Sequence, residues 1–519
     1  MTTRMIVGRA AAVAALISWG VPGVVNADPD PVNAVPAPPA KVWAIPVGPQ
    51  EAVPGPGEGE PVRMALPPPM DQIPPMPMPV DGVDVPPGSD TVLFHDAARR
   101  TTVELPAGPP SGAIGGGGSG FVGADGVVMA REWARSLGAM SAVTSFNAFP
   151  DRTSCKLAMR FVDLNGATRW FSCSGAMQDS GVVLTAGHCV YARDVDGVDI
   201  YDWAREIWVY PGWDGVDSGG SSPASTDVIN NWGYTSGTEF IAGSDWVNNG
   251  NFNRDCAAIR IIRGQRRSVG MLTGWLGRAW GYSCGENLGR QYYNFSYPAE
   301  PCGSGGLHTG RTLYFRSGTF DLCVGNRLQT NTASGCLNAV WGGMSGSNAY
   351  FFANATDRWA HAVCSTSDRA TYGRYCKLWE QFDSDLNSFR SGARGTTFDL
   401  EALQFRLNGS TTVQASATTS GCGFVAANAT NADPPMRTYT VRVYLSTNRE
   451  ITTADTLVGT FTFDYDFAPM QALGVGLPGV VIPASTAAGT RYLGVVLDPA
   501  TDAVPENNDT LAWDVHVRL

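Results

Sequence analysis

At 519 residues the chain is too long for one ordinary domain and fits two or three folded units of about 150 residues each. A net charge of −11 argues against nucleic-acid binding, which would need a basic patch. With 44% hydrophobic residues, 16% charged residues and 61 glycines, the composition points to extracellular β-rich protein rather than a helical cytosolic enzyme.

The chain opens with Arg4 and Arg9, an apolar run from Ala10 to Trp19, and small residues up to Ala27. This reads as a signal peptide over residues 1–27, cleaved after Ala27, in a secreted protein. The run is shorter than the roughly 18–20 residues that cross a bilayer, and no later segment is a candidate, so no membrane span is expected in the mature chain. Residues 28–90 are dominated by proline, as in Leu66–Met70 and Pro74–Pro79. Proline lacks the backbone donor and fixes φ, so this stretch is expected to be an extended or disordered spacer that forms no ladders. Residues 91–141 read as a pro-segment, with a flexible hinge at Gly115–Gly120 and a short helix over Val127–Leu137; a permanent stalk is the alternative.

From residue 142 to 395 the pattern becomes short apolar runs between Gly, Asn, Asp and Ser turns. Leu157–Val162, Gly181–Thr185 and Ala257–Ile262 predict strands of an all-β domain. One helix is expected over Leu378–Phe389, from apolar residues spaced four, four and three apart. All 11 cysteines lie between Cys155 and Cys422, which reads as the disulfide framework of an exported protein. A zinc site is the rival, but there is no C-x-x-C pair, and only 5 histidines are scattered along the chain. Proximity pairs Cys284 with Cys302, Cys323 with Cys336 and Cys364 with Cys376, leaving Cys155, Cys256 and Cys422 over. Residues 396–519 form a second β unit, with strands predicted at Phe398–Leu407, Thr438–Leu445, Gly459–Phe463, Arg491–Leu497 and Leu511–Val517. Their number and alternation suggest a β-sandwich.

Three segments carry chemistry. In Val183–Cys189, His188 ends an apolar strand among small residues that let the ring be presented at a rim, and Cys189 is expected to pin that rim by bonding Cys173. In Trp341–Ser347, Ser345 sits between glycines on a tight loop, so its hydroxyl is exposed and the amides of Gly343 and Ser345 can face a developing oxyanion. Such a donor is worth roughly 3–4 kcal/mol. The loop is not an α/β-hydrolase elbow, because Ser347 stands where that turn needs glycine. Asp255 precedes an apolar strand, where a carboxylate can fix the tautomer of a histidine. Taken singly, each has a structural explanation: a histidine buried beside a disulfide, a Gly/Ser loop, a turn aspartate.

Together, Thr185–Cys189, Asp255–Ile259 and Gly342–Ser347 resemble the three signatures of trypsin-like serine peptidases, in that family's chain order. Val209–Gly215 and Leu272–Gly277 are similar to segments of the bacterial glutamyl-endopeptidase branch. The resemblance spans about residues 145–390. It implies an all-β trypsin-like double β-barrel with His188, Asp255 and Ser345 as catalytic triad and Gly343 and Ser345 as oxyanion hole. It further implies a secreted endopeptidase of protein or peptide substrates that needs no cofactor and no metal. Ala339, near the expected floor of the specificity pocket, carries no charge, and either His361 or Cys364 falls where glutamyl endopeptidases place a substrate-binding histidine. The sequence departs from the family at Met344, where animal members have Asp, and at Asn348, where the branch has Pro. Tyr444–Asn448, Arg491–Asp498 and Glu506–Asn508 resemble the immunoglobulin-like adhesion modules of bacterial exoenzymes. That likeness implies a protein, glycan or cell-surface ligand for the C-terminal unit. The alternative function is a catalytically silent adhesion or binding protein that keeps the peptidase fold, with a non-peptidase acyl hydrolase a distant third.

Overall fold

Period-two patterning builds the first half of the molecule. In the strand Ser154–Val162, Leu157, Met159 and Phe161 are fully buried on one face and alternate with Lys156, Ala158 and Arg160 on the other. The computed structural model describes residues 41–43, 45–46, 73–80, 89–105, 139–143 and, with gaps, 149–518; the larger gaps are 216–233, 262–267, 301–307 and 498–509. The strands run Glu206–Pro211, Ser154–Val162, Thr168–Asp179, Val182–Thr185, Ala257–Ile261 and Thr235–Gly243, and the last pairs back with the first. All six pairings are antiparallel and the barrel is closed. The second half is an open 9-stranded sheet whose central strands are Tyr372–Lys377, Arg358–Ser367, Asn348–Phe352, Tyr292–Ser296 and Tyr314–Gly318. A closed barrel beside this half-barrel, called the second barrel below, matches the double-barrel architecture that the sequence predicted.

The N-terminal stretches behave differently from the expected spacer and pro-segment. Val92–Asp96 pairs antiparallel with Thr235–Gly243 and forms a hairpin with Thr101–Glu104. Asp90 pairs with Arg254, and its carbonyl accepts from Trp379 Nε1 at 2.9 Å. Residues 89–105 are thus built into the first barrel, ahead of the expected domain start at 142. Within the Pro-rich stretch, Lys41–Trp43 runs parallel to Gln471–Leu477 and Ile45–Pro46 pairs with Thr456–Asp464. The spacer does contribute ladders, where residues 40–45 offer a run free of proline. The signal peptide, the Gly-rich hinge and the short helix over 127–137 lie outside the described residues.

The helix Glu380–Arg394 buries Phe382, Leu386 and Phe389 against the first barrel, two residues later at its start than the spacing predicted. Its last turn is fixed by Arg390 and Arg394, which pair with the fully buried Asp179 at 2.7 and 2.9 Å. Burial works against the Asp179 carboxylate, yet the two guanidiniums outweigh it and hold its pKa below the usual value. Beyond the helix, a 4-stranded and a 6-stranded sheet share one core that includes Phe405, Val441, Phe461 and Val495, a two-sheet sandwich. It docks on the first barrel through Glu401, whose carboxylate accepts from Ser268 N at 2.6 Å and Ser268 Oγ at 2.7 Å. Cys422–Asn428 and Gln471–Leu477 are central strands that the sequence reading missed, because Gly and Ala mask their periodicity.

The disulfides correct the proximity pairing. Cys173–Cys189 is present as expected, but Cys284 bonds Cys323, with Cα atoms 6.0 Å apart. The helix Cys284–Leu288 lies against the strand that carries Cys323, an adjacency that sequence distance does not report. Cys323 is therefore not the partner of Cys336, which is itself disulfide-bonded. Cys364 and Cys376 are both free and buried. Cys364 stands opposite Tyr375, so Cys376, one residue on, points to the other face of the sheet. Among the described residues, no helix is long and apolar enough to cross a membrane.

Candidate active site

His188 lies in the short helical turn Gly187–Val190 directly after the strand Val182–Thr185, and Asp255 directly precedes Ala257–Ile261, the strand that pairs with it. Ladder pairing therefore brings the two together across 67 residues of sequence. Asp255 Oδ1 accepts from the His188 backbone amide at 2.8 Å, and Oδ2 faces His188 Nδ1 at 2.8 Å. The Ser365 hydroxyl donates to the same Oδ2 at 2.6 Å. This contact requires Gly187, because a Cβ there would stand 2.8 Å from Asp255 Oδ1 and 2.7 Å from Trp246. The Trp246 ring packs edge-on to His188, with centroids 6.1 Å apart. His188 and Asp255 are 3% and 0% exposed.

The serine loop comes from the second barrel. Gly343 and Gly346 have φ of +86° and +80°, the left-handed conformation that glycine adopts without strain. Gly346 packs onto the His188 segment so closely that a Cβ would lie 2.0 Å from Thr185 Oγ1 and 2.9 Å from Ala186 N. Ser174 N donates to Ser345 O at 2.8 Å, and Ser174 Oγ donates to Gly343 O at 2.7 Å. Gly346 N donates to Cys364 O at 2.8 Å, tying the loop to the strand that carries Ser365. His188 and Asp255 thus meet at the end of the first barrel, and the serine loop is tied to the same segment through Gly346 and Ser174.

A further segment lies in this cleft. Ile73–Val80 crosses it, with Met76 and Met78 each 2% exposed. Gly343 N donates to Met76 O at 3.4 Å, and Ser345 Oγ faces Met78 Sδ at 3.8 Å. His188 Nε2 is buried without a hydrogen-bond partner, and Ser345 itself is fully buried.

The expected specificity residues separate. Ala339 and Cys364 are fully buried near the serine loop, where burial pushes the Cys364 thiol up to about 12 against the pull of Arg316. His361 is elsewhere. Its Nδ1 faces Ala279 O at 2.8 Å, and it lines a cavity of about 570 Å³ with Trp280, Tyr282, Lys377 and Trp379. Burial lowers its pKa to about 4. Sequence reasoning missed two residues. One is Ser365, the third donor to Asp255. The other is Arg316, 1% exposed, with Nη1 donating to Ala339 O at 3.4 Å while Nε and Nη2 have no partner. The signal was legible: in Tyr314–Gly318 burial alternates, and Arg316 occupies an inward position where an apolar residue is expected.

Among the described residues, Cys173, His188 and Cys189 cluster closely enough to hold an ion. The two sulfurs are bonded to each other and offer no thiolate, so this set does not fit a metal.

No family model matches the chain. It is similar to an extracellular metalloprotease of Bacillus subtilis (strain 168), 29% identical over 135 residues, 26% of this chain and 35% of that protein. The chain thus spans about a third of the length of the curated relative that it matches. Among solved structures it is similar to the protease Anisep of Arthrobacter nicotinovorans, at 18% identity and TM-score 0.36, over 49% of this chain and 99% of that one. A Glu endopeptidase solved in complex with MPD is alike at 19% identity and TM-score 0.35, over 49% and 97%. A CARDB domain from Pyrococcus furiosus is alike at 17% identity and TM-score 0.18, over 24% and 96%.

Proposed function

We propose that the protein is a secreted serine endopeptidase in which His188 Nε2 removes the proton of Ser345 and Ser345 Oγ attacks a peptide carbonyl. The observation that carries this reading is the fully buried Asp255, whose two oxygens hold the backbone amide and the Nδ1 of His188. A carboxylate so placed keeps the proton on Nδ1, leaves Nε2 as the base, and stabilises the imidazolium that forms. The Gly343 amide, already donating to a carbonyl, supports the oxyanion role, with the Ser345 amide beside it. The proton on Nε2 then passes to the leaving amine, and water takes the serine's place to hydrolyse the acyl-enzyme through the same base.

Arg316 supports a preference for acidic side chains. A guanidinium with two unpartnered nitrogens at 1% exposure carries an uncompensated charge, and a substrate carboxylate beside Ala339 is the group that satisfies it. Glutamate preference then rests on Arg316 rather than on His361.

The test is labelling with a fluorophosphonate probe, applied to the full chain and to a Met76→Asp/Met78→Asp variant that withdraws the segment over Ser345. Label is expected on the double variant and is expected to vanish with Ser345→Ala or His188→Ala added. A folded double variant that takes no label and hydrolyses no peptide would establish the silent binding protein instead.

A further inference from the structure

We propose that Ile73–Val80 is a built-in inhibitor, a proline-locked strap that occupies the catalytic cleft and must leave before substrate enters; the proposal rests on the peptidase reading above. The strap is held along its length. Ser172 N donates to Pro74 O at 2.8 Å, Met76 N donates to Ser172 O at 2.8 Å, and Ser367 N donates to Pro79 O at 3.1 Å. With Gly343 N on Met76 O, four backbone bonds tie eight residues to both walls of the cleft. Met76 packs in the core cluster of the first barrel and Met78 in that of the second, so the strap closes the seam between them.

The same contacts explain why the strap is not a substrate. Its carbonyl at the Gly343 amide belongs to Met76, and the next residue is Pro77, so the bond offered is a tertiary amide in a rigid chain. Ser345 Oγ faces the Met78 thioether at 3.8 Å, so that side chain covers the hydroxyl that would have to attack. Pro74, Pro75, Pro77 and Pro79 hold the segment extended before it binds, which lowers the entropy cost of occupying the cleft. Arg316 Nε and Nη2 remain unpartnered with the strap in place, so the strap blocks the site without meeting its charge. In the sequence 11 residues separate Val80 from Val92–Asp96, a strand of the barrel sheet, so the inhibitor stays tethered at high local concentration.

Release is tested by comparing fluorophosphonate labelling rates and peptide hydrolysis of the full chain with those of Met76→Asp/Met78→Asp. Buried carboxylates without partners expel the strap. The double variant is expected to label at least tenfold faster, and a synthetic peptide of the sequence Ile73–Val80, added in trans, to slow it again. A Met78→Gly variant, which removes the side chain over Ser345 without adding charge, is expected to move the same way and guards against a folding defect. Equal, rapid labelling of wild type and both variants, insensitive to the peptide, overturns the strap and leaves the peptidase reading standing. No labelling of any folded chain overturns the peptidase reading, and the strap with it.

Discussion

On the first-barrel side of the cleft Asp255 is fully buried, and its two oxygens accept from the His188 amide, face His188 Nδ1 and accept from Ser365 Oγ. On the second-barrel side Arg316 is just as buried, yet two of its nitrogens have no partner. Both are charges taken out of water, where a charge needs compensation or costs several kcal/mol. The difference separates two kinds of preparation. A carboxylate that orients a base must be satisfied before the reaction, so its partners come from the chain. A cation that recognises a substrate must be unsatisfied until the substrate arrives, so its partner cannot. On the proposed reading, one side of the cleft is finished and the other awaits the substrate's carboxylate.

The sharpest break of this comparison is at Asp255. Asp255→Asn keeps the shape but presents an amide to Nδ1, and the histidine loses its fixed tautomer. We expect kcat of the strap-released enzyme to fall by about 10⁴-fold with the fold retained, measured by steady-state kinetics alongside circular dichroism. A fall of less than tenfold would mean that Asp255 merely braces the strand start.

Arg316→Met sharpens the other side. Its expected signature is a loss of about 10²-fold in kcat/KM for peptides with an acidic side chain before the cleaved bond, as when one partner of a desolvated charge pair is removed. Apolar peptides should be unaffected, and the thermal midpoint should hold or rise, because an unpaired buried charge has gone. A large drop in the midpoint would show Arg316 to be a structural cation and remove the basis for acidic preference.

This contrast also explains what the sequence revealed. The segments carrying His188 and Ser345 stood out because close packing forces a local pattern: Gly187 and Gly346 stand where a Cβ would collide with Asp255 and Thr185. The strands of the first barrel were legible through alternation, as in Leu157, Met159 and Phe161. Arg316 was readable only as a charge on an inward position, a signal with no fixed spacing to any motif. The strap was not readable at all, since a proline-rich run says how it will be shaped but not what it will lie on. The Cys284–Cys323 bond was hidden for the same reason: it depends on which helix meets which strand.

The smallest expected effect concerns Lys156, which borders the strap's anchor. Its Nζ donates to Ser172 Oγ at 3.1 Å and lies 6.0 Å from the centre of the Tyr297 ring; burial lowers its pKa from the usual 10.5 to about 7. Below pH 7 both folded and unfolded chains carry the charge, and folding bears the full cost of burying it. Between pH 7 and 10.5 the folded chain has released its proton while the unfolded chain keeps it, so this group makes stability rise with pH across that window. Lys156→Met removes the titration. We expect the variant to be the more stable at pH 6, with the gap narrowing by about 1.4 kcal/mol per pH unit from pH 7 toward pH 10, as read by urea unfolding at each pH. Because Ser172 also holds Pro74 and Met76, the same series read by probe labelling tests whether charging Lys156 loosens the strap. A constant gap at all pH values would show that Lys156 keeps its proton throughout, as a cation sustained by Ser172 and Tyr297.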